Sequence, residues 1–519
     1  MVHGRRYRHS RSVYAGSMLN NAERIPVIVG VGDLKFAGAG SAQSTIEPLE
    51  LVLRAVDAAI DDAGGHGLKE KLDAVHAVRT TSWNYDDLPS LVAERLGVTL
   101  TSRSTSTIGG HHPARLLDQV GRDIAEGLTT AALVVGGEAQ ASVRALMKAG
   151  VDPRESGWTT APGGPPSFSP EDLGSTEMQR AGILAPVQIY PLFENARAHS
   201  RGLTPNQALR GSADMYSRFS AIAAEHPVAW SPVFRTPEDI GTVTSSNRPV
   251  SDCYPLSMNA MPFVDQAAAV MVCSLATARE AGVAEGRMVY LWGGAGAVDN
   301  PDVLARSGFD DSPALRGAVQ RALSRADVTS AHLAFVDAYS CFPIVPELLA
   351  DELGLAEGST PTVLGGHSFF GGPLSSYSLH AVAESTRRLR KNPGVALVHA
   401  NGGYLTYQHV VLLSTTAHRD GYIGDPEPVD SSGTTVAVVH GYSGQATIFT
   451  ATVTYDRTGL PEQSFVIAAT DEGARVAGRA GRAVAATLHD LVSGQNESAV
   501  GRRIDLVDNE GNLAVDFCM

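Results

Sequence analysis

Apolar residues in this chain fall into short unbroken runs and longer stretches of helical period, and the two kinds alternate. Residues 26–31 (PVIVGV) form an unbroken run closed by Gly32 and Asp33, which predicts a strand buried on both faces. Over 48–63, Leu49, Val52, Val56, Ala59 and Ile60 recur at helical spacing, and Gly64-Gly65 ends the element. A strand at 72–78, a helix at 88–96, a strand just before Ser102, a helix at 113–126 and a strand at 131–135 continue the series. The same order then returns, with strands at 289–292, 333–336, 362–364, 395–399 and 410–415 and helices at 313–325, 344–353 and 377–389. Alternation of this length predicts an α/β fold with a mixed or mostly parallel sheet, and the repetition predicts two copies of one unit packed together.

Between the copies, residues 142–251 break the pattern. This stretch has a Pro/Gly-rich segment at 161–166 and helices expected at 192–201 and 206–224, so it reads as a long insertion above the sheet, a cover for a ligand or a plain structural lid. The N-terminal half of the repeat is then 24–275 and the C-terminal half 286–418. Residues 419–433 are polar, hold Pro426, Pro428 and Gly433, and read as a linker. The remainder, 434–519, predicts a separate β-rich domain with strands at 435–439, 446–455 and 464–470 and a terminal helix at 477–493. Residues 1–23 open with Arg5, Arg6, Arg8 and Arg11 and read as a disordered basic tail; a transit peptide or a start at Met18 are the alternatives.

With 519 residues and 43% apolar content, the chain has material for several cores. Its net charge of -14 argues against a nucleic-acid or membrane-surface partner, both of which need a basic field. No apolar run approaches the ~20 residues that span a bilayer. The four cysteines, Cys253, Cys273, Cys341 and Cys518, lie far apart and predict neither a zinc site nor a disulfide framework, so no metal is expected and a reducing cytoplasm is the natural compartment.

The segment Gly365-Gly366-His367-Ser368-Phe369-Phe370-Gly371-Gly372-Pro373 resembles the thiolase motif G-G-x-x-x-x-G-H-P with glycine at the histidine position. Pro26-Val27-Ile28-Val29-Gly30-Val31-Gly32 is similar to the first thiolase strand, Val134-Val135-Gly136-Gly137-Glu138-Ala139-Gln140-Ala141-Ser142 to the A-G-G-x-E-x-M-S segment, and Val264-Asp265-Gln266-Ala267-Ala268-Ala269 to the D-G-A-A-A strand. The match runs over about residues 24–418. It implies a duplicated, five-layered αβαβα thiolase fold with a loop-domain insertion. The closing segments, Thr452-Val453-Thr454-Tyr455-Asp456-Arg457-Thr458-Gly459-Leu460-Pro461-Glu462 and Asp471-Glu472-Gly473-Ala474-Arg475-Val476, resemble those of actinobacterial thiolase-like proteins of type 1, often named acetyl-CoA acetyltransferases. In that group the extra C-terminal domain is OB-like.

A thiolase uses a nucleophilic Cys at a helix N-terminus, a His in the glycine-rich motif and a second Cys as acid/base. The corresponding helix start, Ser104-Thr105-Ser106-Thr107-Ile108-Gly109-Gly110-His111-His112-Pro113, has no cysteine; Gly372 replaces the His; and Ala400, in Ala400-Asn401-Gly402-Gly403-Tyr404, takes the second Cys position. The N-E-A-F loop is matched by Tyr339-Ser340-Cys341-Phe342, so Tyr339 stands where Asn would position an oxyanion-binding water. The candidate catalytic residues are therefore Tyr339, His112 and Tyr404. Gly366, His367, Gly372, Gly402 and Gly403 are expected to line a substrate-binding site, and Cys341 to be a small buried filler.

Three readings follow from the resemblance. The first is a protein of lipid metabolism that binds coenzyme A or an acyl-CoA without ordinary thiolase turnover and carries no covalently bound cofactor. The second is an enzyme of altered chemistry, retro-aldol or acyl transfer on a CoA thioester, with tyrosine as acid/base. The third is a non-catalytic scaffold, monomeric or homodimeric, that holds an accessory protein through the C-terminal domain.

Overall fold

The computed structural model describes residues 21–38, 40–160 and 174–517; the segment 161–166 and nearly all of the basic tail lie outside the described residues. In the first half, β1 (Pro26–Lys35), α1 (Pro48–Ala63), β2 (Ala74–Ala77), α2 (Leu88–Leu96), β3 (Ser102–Thr105), α3 (His112–Glu126) and β4 (Ala131–Ala139) follow one another. The insertion contributes α4 (Gln140–Ala149), α5 (Thr176–Ala181), α6 (Pro186–Ser200), α7 (Pro205–Glu225) and α8 (Pro237–Gly241), then the short strands β5 (Pro249–Ser251) and β6 (Tyr254–Pro255). β7 (Asp265–Ser274) and α9 (Leu275–Glu280) close the half. The second half holds β8 (Val289–Val298), α10 (Pro313–Arg325), β9 (Leu333–Asp337), α11 (Ile344–Glu352), α12 (Tyr377–Lys391), β10 (Val395–Gly402) and β11 (Tyr407–Ser414), followed by β12 (Asp425–Asp430).

The two halves repeat one sheet topology. The first runs β3-β2-β4-β7-β1 and the second β9-β10-β11-β8, each with a parallel core and an antiparallel return strand. They touch where β1 meets β8 through Val27↔Tyr290 and Ile28↔Val289. α3 and α12 pack between the sheets, α1 covers the first sheet from outside and α10 the second, which gives the five layers. Local signals explain the helices: Pro stands in the first turn of α1, α2, α3 and α10, and α1 to α3 each end on a left-handed glycine.

Two elements of the second half depart from expectation. Residues 362–364 form no strand: Asp337 Oδ1 accepts Thr362 Oγ1 at 2.9 Å and Val363 N at 2.8 Å, and Thr362 Oγ1 accepts Gly365 N at 2.9 Å, so side chains take the bonds a ladder would. The expected linker 419–433 contains β12, which runs parallel to β8 from Asp425↔Ala295 to Asp430↔Val298.

Beyond β12 lie β13 (Ser443–Tyr455), β14 (Pro461–Thr470), β15 (Arg475–Ala480), α13 (Arg482–His489), β16 (Arg503–Asn509) and β17 (Asn512–Phe517). Pairing runs β13-β14-β15-β17-β16 and back to β13, a closed five-stranded barrel with β15 parallel to β17 and a helix between its third and fourth strands. That is the OB connectivity. The expected helix 477–493 begins only at Arg482, because Gly478 sits where a Cβ would lie 2.5 Å from Gly511 O and β15 pairs with β14 along 475–480. The expected strand 435–439 reduces to one bridge, Val438↔Arg475.

The barrel is sewn to the insertion. β5 pairs with β13 at Thr454↔Ser251, and Thr450 Oγ1 donates to Leu192 O on α6 at 2.7 Å. At this seam Asp252 is buried, accepts Tyr455 Oη at 2.9 Å, and is pushed up to about 7 by burial. The native state then holds a proton that the unfolded chain, with an ordinary carboxyl near 3.8, releases, so this group's contribution falls as pH rises from about 3.8 to about 7. Measured against Asp252→Asn by urea denaturation, the wild type is expected to lose relative stability across that window, by at most about 1.4 kcal/mol per pH unit. A pH-independent difference would refute a buried, protonated Asp252.

No helix among the described residues is long and apolar enough to cross a membrane, and no group of three or more His, Cys, Asp or Glu among them is placed to hold a metal ion.

Candidate functional site

The site lies at the N-terminus of α3, between the sheets. The positive end of the helix dipole would favour a thiolate just before His112. His111 is the N-cap and Gly110 precedes it at the same helix end, where a Cβ built on Gly110 would come within 2.4 Å of Tyr339 Oη and 2.5 Å of Asn401 O. The space a nucleophilic side chain would need is thus taken by a phenol and a backbone carbonyl.

Tyr339 is 7% exposed, and its hydroxyl donates to Leu374 O at 3.3 Å. Burial pushes its pKa up, with no cationic neighbour to oppose it. The phenol is therefore a neutral donor, poorly suited to act as a base at neutral pH.

Its backbone starts a one-way chain of hydrogen bonds through the core. Tyr339 N donates to His399 Nδ1 at 3.3 Å, His399 Nε2 to Gln408 Oε1 at 2.7 Å, and Gln408 Nε2 to Asn401 Oδ1 at 2.7 Å. Asn401 Nδ2 then donates to Tyr190 Oη at 2.9 Å, and Tyr190 to Gly403 O at 2.9 Å. Each polar group finds a partner, so the network fixes the loops around the former site. Burial lowers His399 to about 4, which keeps its ring neutral.

His367 is also buried and neutral, its pKa pushed well down by burial. Its Nδ1 accepts from Ser340 N at 3.3 Å, which leaves the ring proton on Nε2; that atom has no partner among the described residues. The ring stacks on Tyr377 with centroids 3.6 Å apart and tilts against Tyr339 at 4.3 Å. His112 Nε2 lies 2.9 Å from Thr107 Oγ1, and burial together with Arg115 lowers the ring to about 4. Tyr404 belongs to another neighbourhood: its hydroxyl donates to Leu184 O of the insertion, and its ring meets Tyr190 edge-on.

Among the glycines, Gly402 lies under His111, where a Cβ would be 2.2 Å from Nδ1, so its role is close approach. Gly366 O accepts Phe369 N and Phe370 N in a tight turn, and Gly403 O accepts Tyr190. Gly372 N donates to Met261 O at 2.9 Å, and Met261 N to His367 O at 3.1 Å. Trp230 N and Ser231 N bond to Phe370 O and Phe369 O. Two segments of chain are thus stitched across the glycine-rich motif. Ala400 is fully buried in β10, and burial pushes the Cys341 thiol up to about 12, leaving it inert as a nucleophile.

On the outer side of that stitching lies a cleft of about 1020 Å³. Its inner end reaches Ser368 and Phe369 of the motif, with Met261, Pro262 and Phe263 beside them, and Tyr339 is not among its lining residues. Its walls carry four arginines, Arg144, Arg235, Arg248 and Arg457, against two acids, Glu238 and Asp239. Arg144 lies over the Phe263 ring at 4.4 Å and Arg248 Nη1 donates to Pro249 O at 3.0 Å; none of the four has a carboxylate within 4.0 Å among the described residues, whereas Arg197, Arg201, Arg387 and Arg390 each do. Sequence reasoning missed these arginines. They come from α4, the insertion's end and a barrel turn, and no local pattern joins them.

Comparison with known proteins agrees with this architecture. The family model described as the thiolase-like protein type 1 additional C-terminal domain matches residues 426–511. A monomeric SCP2-thiolase like protein type 1 from Mycobacterium smegmatis is 29% identical, with a TM-score of 0.79 over 96% of this chain and 100% of its own. The Ltp2-ChsH2(DUF35) aldolase is 18% identical, with a TM-score of 0.58 over 76% of this chain and 99% of that one; for an acetyl-CoA acetyltransferase from Syntrophomonas wolfei the values are 16%, 0.54, 76% and 99%. No curated protein sequence matches significantly. The doubled αβαβα fold, the barrel that follows it and these likenesses make the chain similar to the thiolase-like proteins of type 1, with that group's additional C-terminal domain matched over residues 426–511.

Proposed function

We propose that this protein binds coenzyme A or an acyl-CoA in the arginine-lined cleft and does not turn it over as a thiolase does. The observation that carries the reading is the four arginines with no carboxylate within 4.0 Å among the described residues, converging on one cleft of a protein whose net charge is -14. Unpaired guanidinium groups suit phosphate oxygens. The apolar inner end, at Met261, Pro262, Phe263 and Phe369, suits a pantetheine arm or acyl chain. Turnover is opposed by the filled space at Gly110, by the burial that makes His367 and His399 weak bases, and by the stitching between cleft and Tyr339.

A tyrosine-driven retro-aldol reaction has less support, because the hydroxyls of Tyr339 and Tyr404 are both bonded to backbone carbonyls and both pKa values are raised by burial. A monomer working in a reducing cytoplasm completes the reading. The relative from Mycobacterium smegmatis is described as monomeric, the edge strand β3 carries an exposed Arg103 that opposes edge-to-edge pairing, and Cys253, Cys273 and Cys341 are all free thiols.

Isothermal titration with CoA is expected to show one site whose affinity falls as ionic strength rises. Incubation with acetoacetyl-CoA and CoA is expected to leave the substrate intact. Thiolysis above the uncatalysed rate, or the absence of any CoA binding, would overturn the reading.

A further inference from the structure

The additional C-terminal domain reaches the cleft through one turn. Asp456, Arg457, Thr458 and Gly459 connect β13 to β14, and this turn is held by Asp456 Oδ1, which accepts Thr458 N at 2.9 Å, Thr458 Oγ1 at 2.6 Å and Leu460 N at 3.1 Å. The turn is built and ordered, yet Arg457 at its tip is exposed and has no carboxylate within 4.0 Å among the described residues. Asp456 is engaged within the turn and with Arg482, so it does not neutralise its neighbour.

The turn is also placed against the insertion. β5 and β13 pair antiparallel at Thr454↔Ser251, and Asp252 N donates to Val453 O at 2.7 Å. The chain reverses just after β13, where Gly459 N donates to Asp456 O at 3.0 Å, and a Cβ on Gly459 would touch Pro249 Cδ at 3.5 Å, so the turn that carries Arg457 packs beside the residue that follows Arg248. Arg248 and Arg457, from different domains, both line the one cleft. Like charges brought together without a counter-ion destabilise the free protein. An arrangement of this kind is stabilised when an anion arrives.

We infer that Arg457 and Arg248 together hold a phosphate group of the ligand, so that the additional domain completes the binding site and selects phosphorylated ligands. Arg144 and Arg235 line other parts of the same wall and, with Arg248, leave the insertion able to bind without the barrel, but less tightly. The inference rests on the proposed use of the cleft for CoA; it adds that the barrel is a ligand-binding part rather than a docking platform for another protein. Glu238 and Asp239, the two acids of the cleft, sit on α8; Asp239 Oδ2 accepts Thr236 N and Oγ1 at 2.9 Å each, which occupies one of its oxygens inside its own helix cap.

The test is calorimetric titration of the full chain with CoA, 3′-dephospho-CoA and pantetheine, for the wild type, Arg457→Ala, Arg457→Lys and Arg248→Ala. Arg457→Ala is expected to weaken CoA binding about tenfold, the scale of one lost charge-assisted hydrogen bond, and to leave pantetheine unchanged. Arg457→Lys should recover part of the loss, and Arg248→Ala combined with Arg457→Ala should cost less than the two single losses multiplied, since both act on one group. The three ligands identify which phosphate is held: a loss confined to CoA marks the 3′-phosphate, and an equal loss with 3′-dephospho-CoA marks the diphosphate. If the wild type binds CoA and Arg457→Ala binds it equally well, or loses pantetheine to the same degree, the inference fails while the cleft remains a CoA site. If the wild type binds none of the three, the proposed function fails and this inference with it. Because Arg457 is exposed on a turn, thermal midpoints of its variants are expected to match the wild type, so weakened binding cannot be ascribed to unfolding.

Discussion

Replacing Arg475 with methionine is expected to cost about 3–5 kcal/mol of stability, the largest loss from a single substitution in the C-terminal domain. The Arg475 side chain enters the main body from β15, is 2% exposed and meets no carboxylate among the described residues. Its guanidinium instead donates to Leu304 O at 2.9 Å, to Ser307 O at 3.0 Å and to Arg306 O, and lies over the rings of Phe449 at 4.0 Å and Phe309 at 5.5 Å. Burial lowers its pKa to about 10, so it stays charged near neutrality. Methionine leaves two buried carbonyl oxygens, Leu304 O and Arg306 O, without donors and frees the partly buried Ser307 O, and each buried unsatisfied group costs on the order of 1–3 kcal/mol. Arg475 N also bonds to Ala437 O and Val439 N to Arg475 O, both at 2.8 Å, so the loss should spread to the segment entering the barrel. Urea unfolding reads the total, and limited proteolysis should show early cleavage between β12 and β13. Arg475→Lys should retain part of the stability, since an ammonium reaches fewer of the three carbonyls at once. A loss below about 1 kcal/mol for the methionine variant would mean that the barrel docks through its other contacts, such as Arg180 with Asp508 at 3.1 Å.

How far the fold could be read from the residues depends on how local each determinant is. The doubled α/β unit was legible because strands such as β1 and β4 are largely buried on both faces and helices such as α1 and α3 start with Pro and stop with Gly, signals carried within a few residues. The tail of the barrel carried a signal that the sequence reading did not use: Ile504 and Leu506, then Leu513 and Val515, alternate around the turn at Glu510-Gly511, which is the pattern of the β16–β17 hairpin. The partnership of β5 with β13 had no such signal, since it joins segments some 200 residues apart and is fixed by tertiary packing. The same division holds at the site. The missing Cys, His and Cys were legible because the surrounding motifs remain, whereas the use of Tyr339 as a plug was not, because Gly110 and Tyr339 meet only once the two halves pack. The cleft arginines were beyond the sequence for the same reason.

That plug makes a second strong effect. Gly110→Ala is expected to cost about 2–4 kcal/mol, the range of an overpacked core or a strained close contact. The added methyl would lie 2.4 Å from Tyr339 Oη, 2.6 Å from Tyr339 Cε2 and 2.5 Å from Asn401 O. The carbonyl cannot move aside freely, because Asn401 is tied through its side chain to Gln408 and Tyr190. The phenol has room only if its bond to Leu374 O and its packing against His367 give way. In a Gly110→Ala/Tyr339→Ala protein both collisions with Tyr339 disappear and the one with Asn401 O remains, so the double loss should fall short of the summed single losses by at least about 1 kcal/mol. Strict additivity, measured by urea unfolding of the four proteins, would show that the two residues do not compete for one space. The same geometry separates this chain from a thiolase disabled by point changes. Gly110→Cys combined with Gly372→His and Ala400→Cys returns a Cys, a His and a second Cys to the chain, yet it is expected to yield no cleavage of acetoacetyl-CoA. A thiol at Gly110 would meet Tyr339 and Asn401, and a side chain at Gly372 would start 3.2 Å from Met261 O, under the segment that closes off the cleft. Recovered thiolysis in that triple variant would show that the scaffold still holds an open reaction site, with only its side chains exchanged.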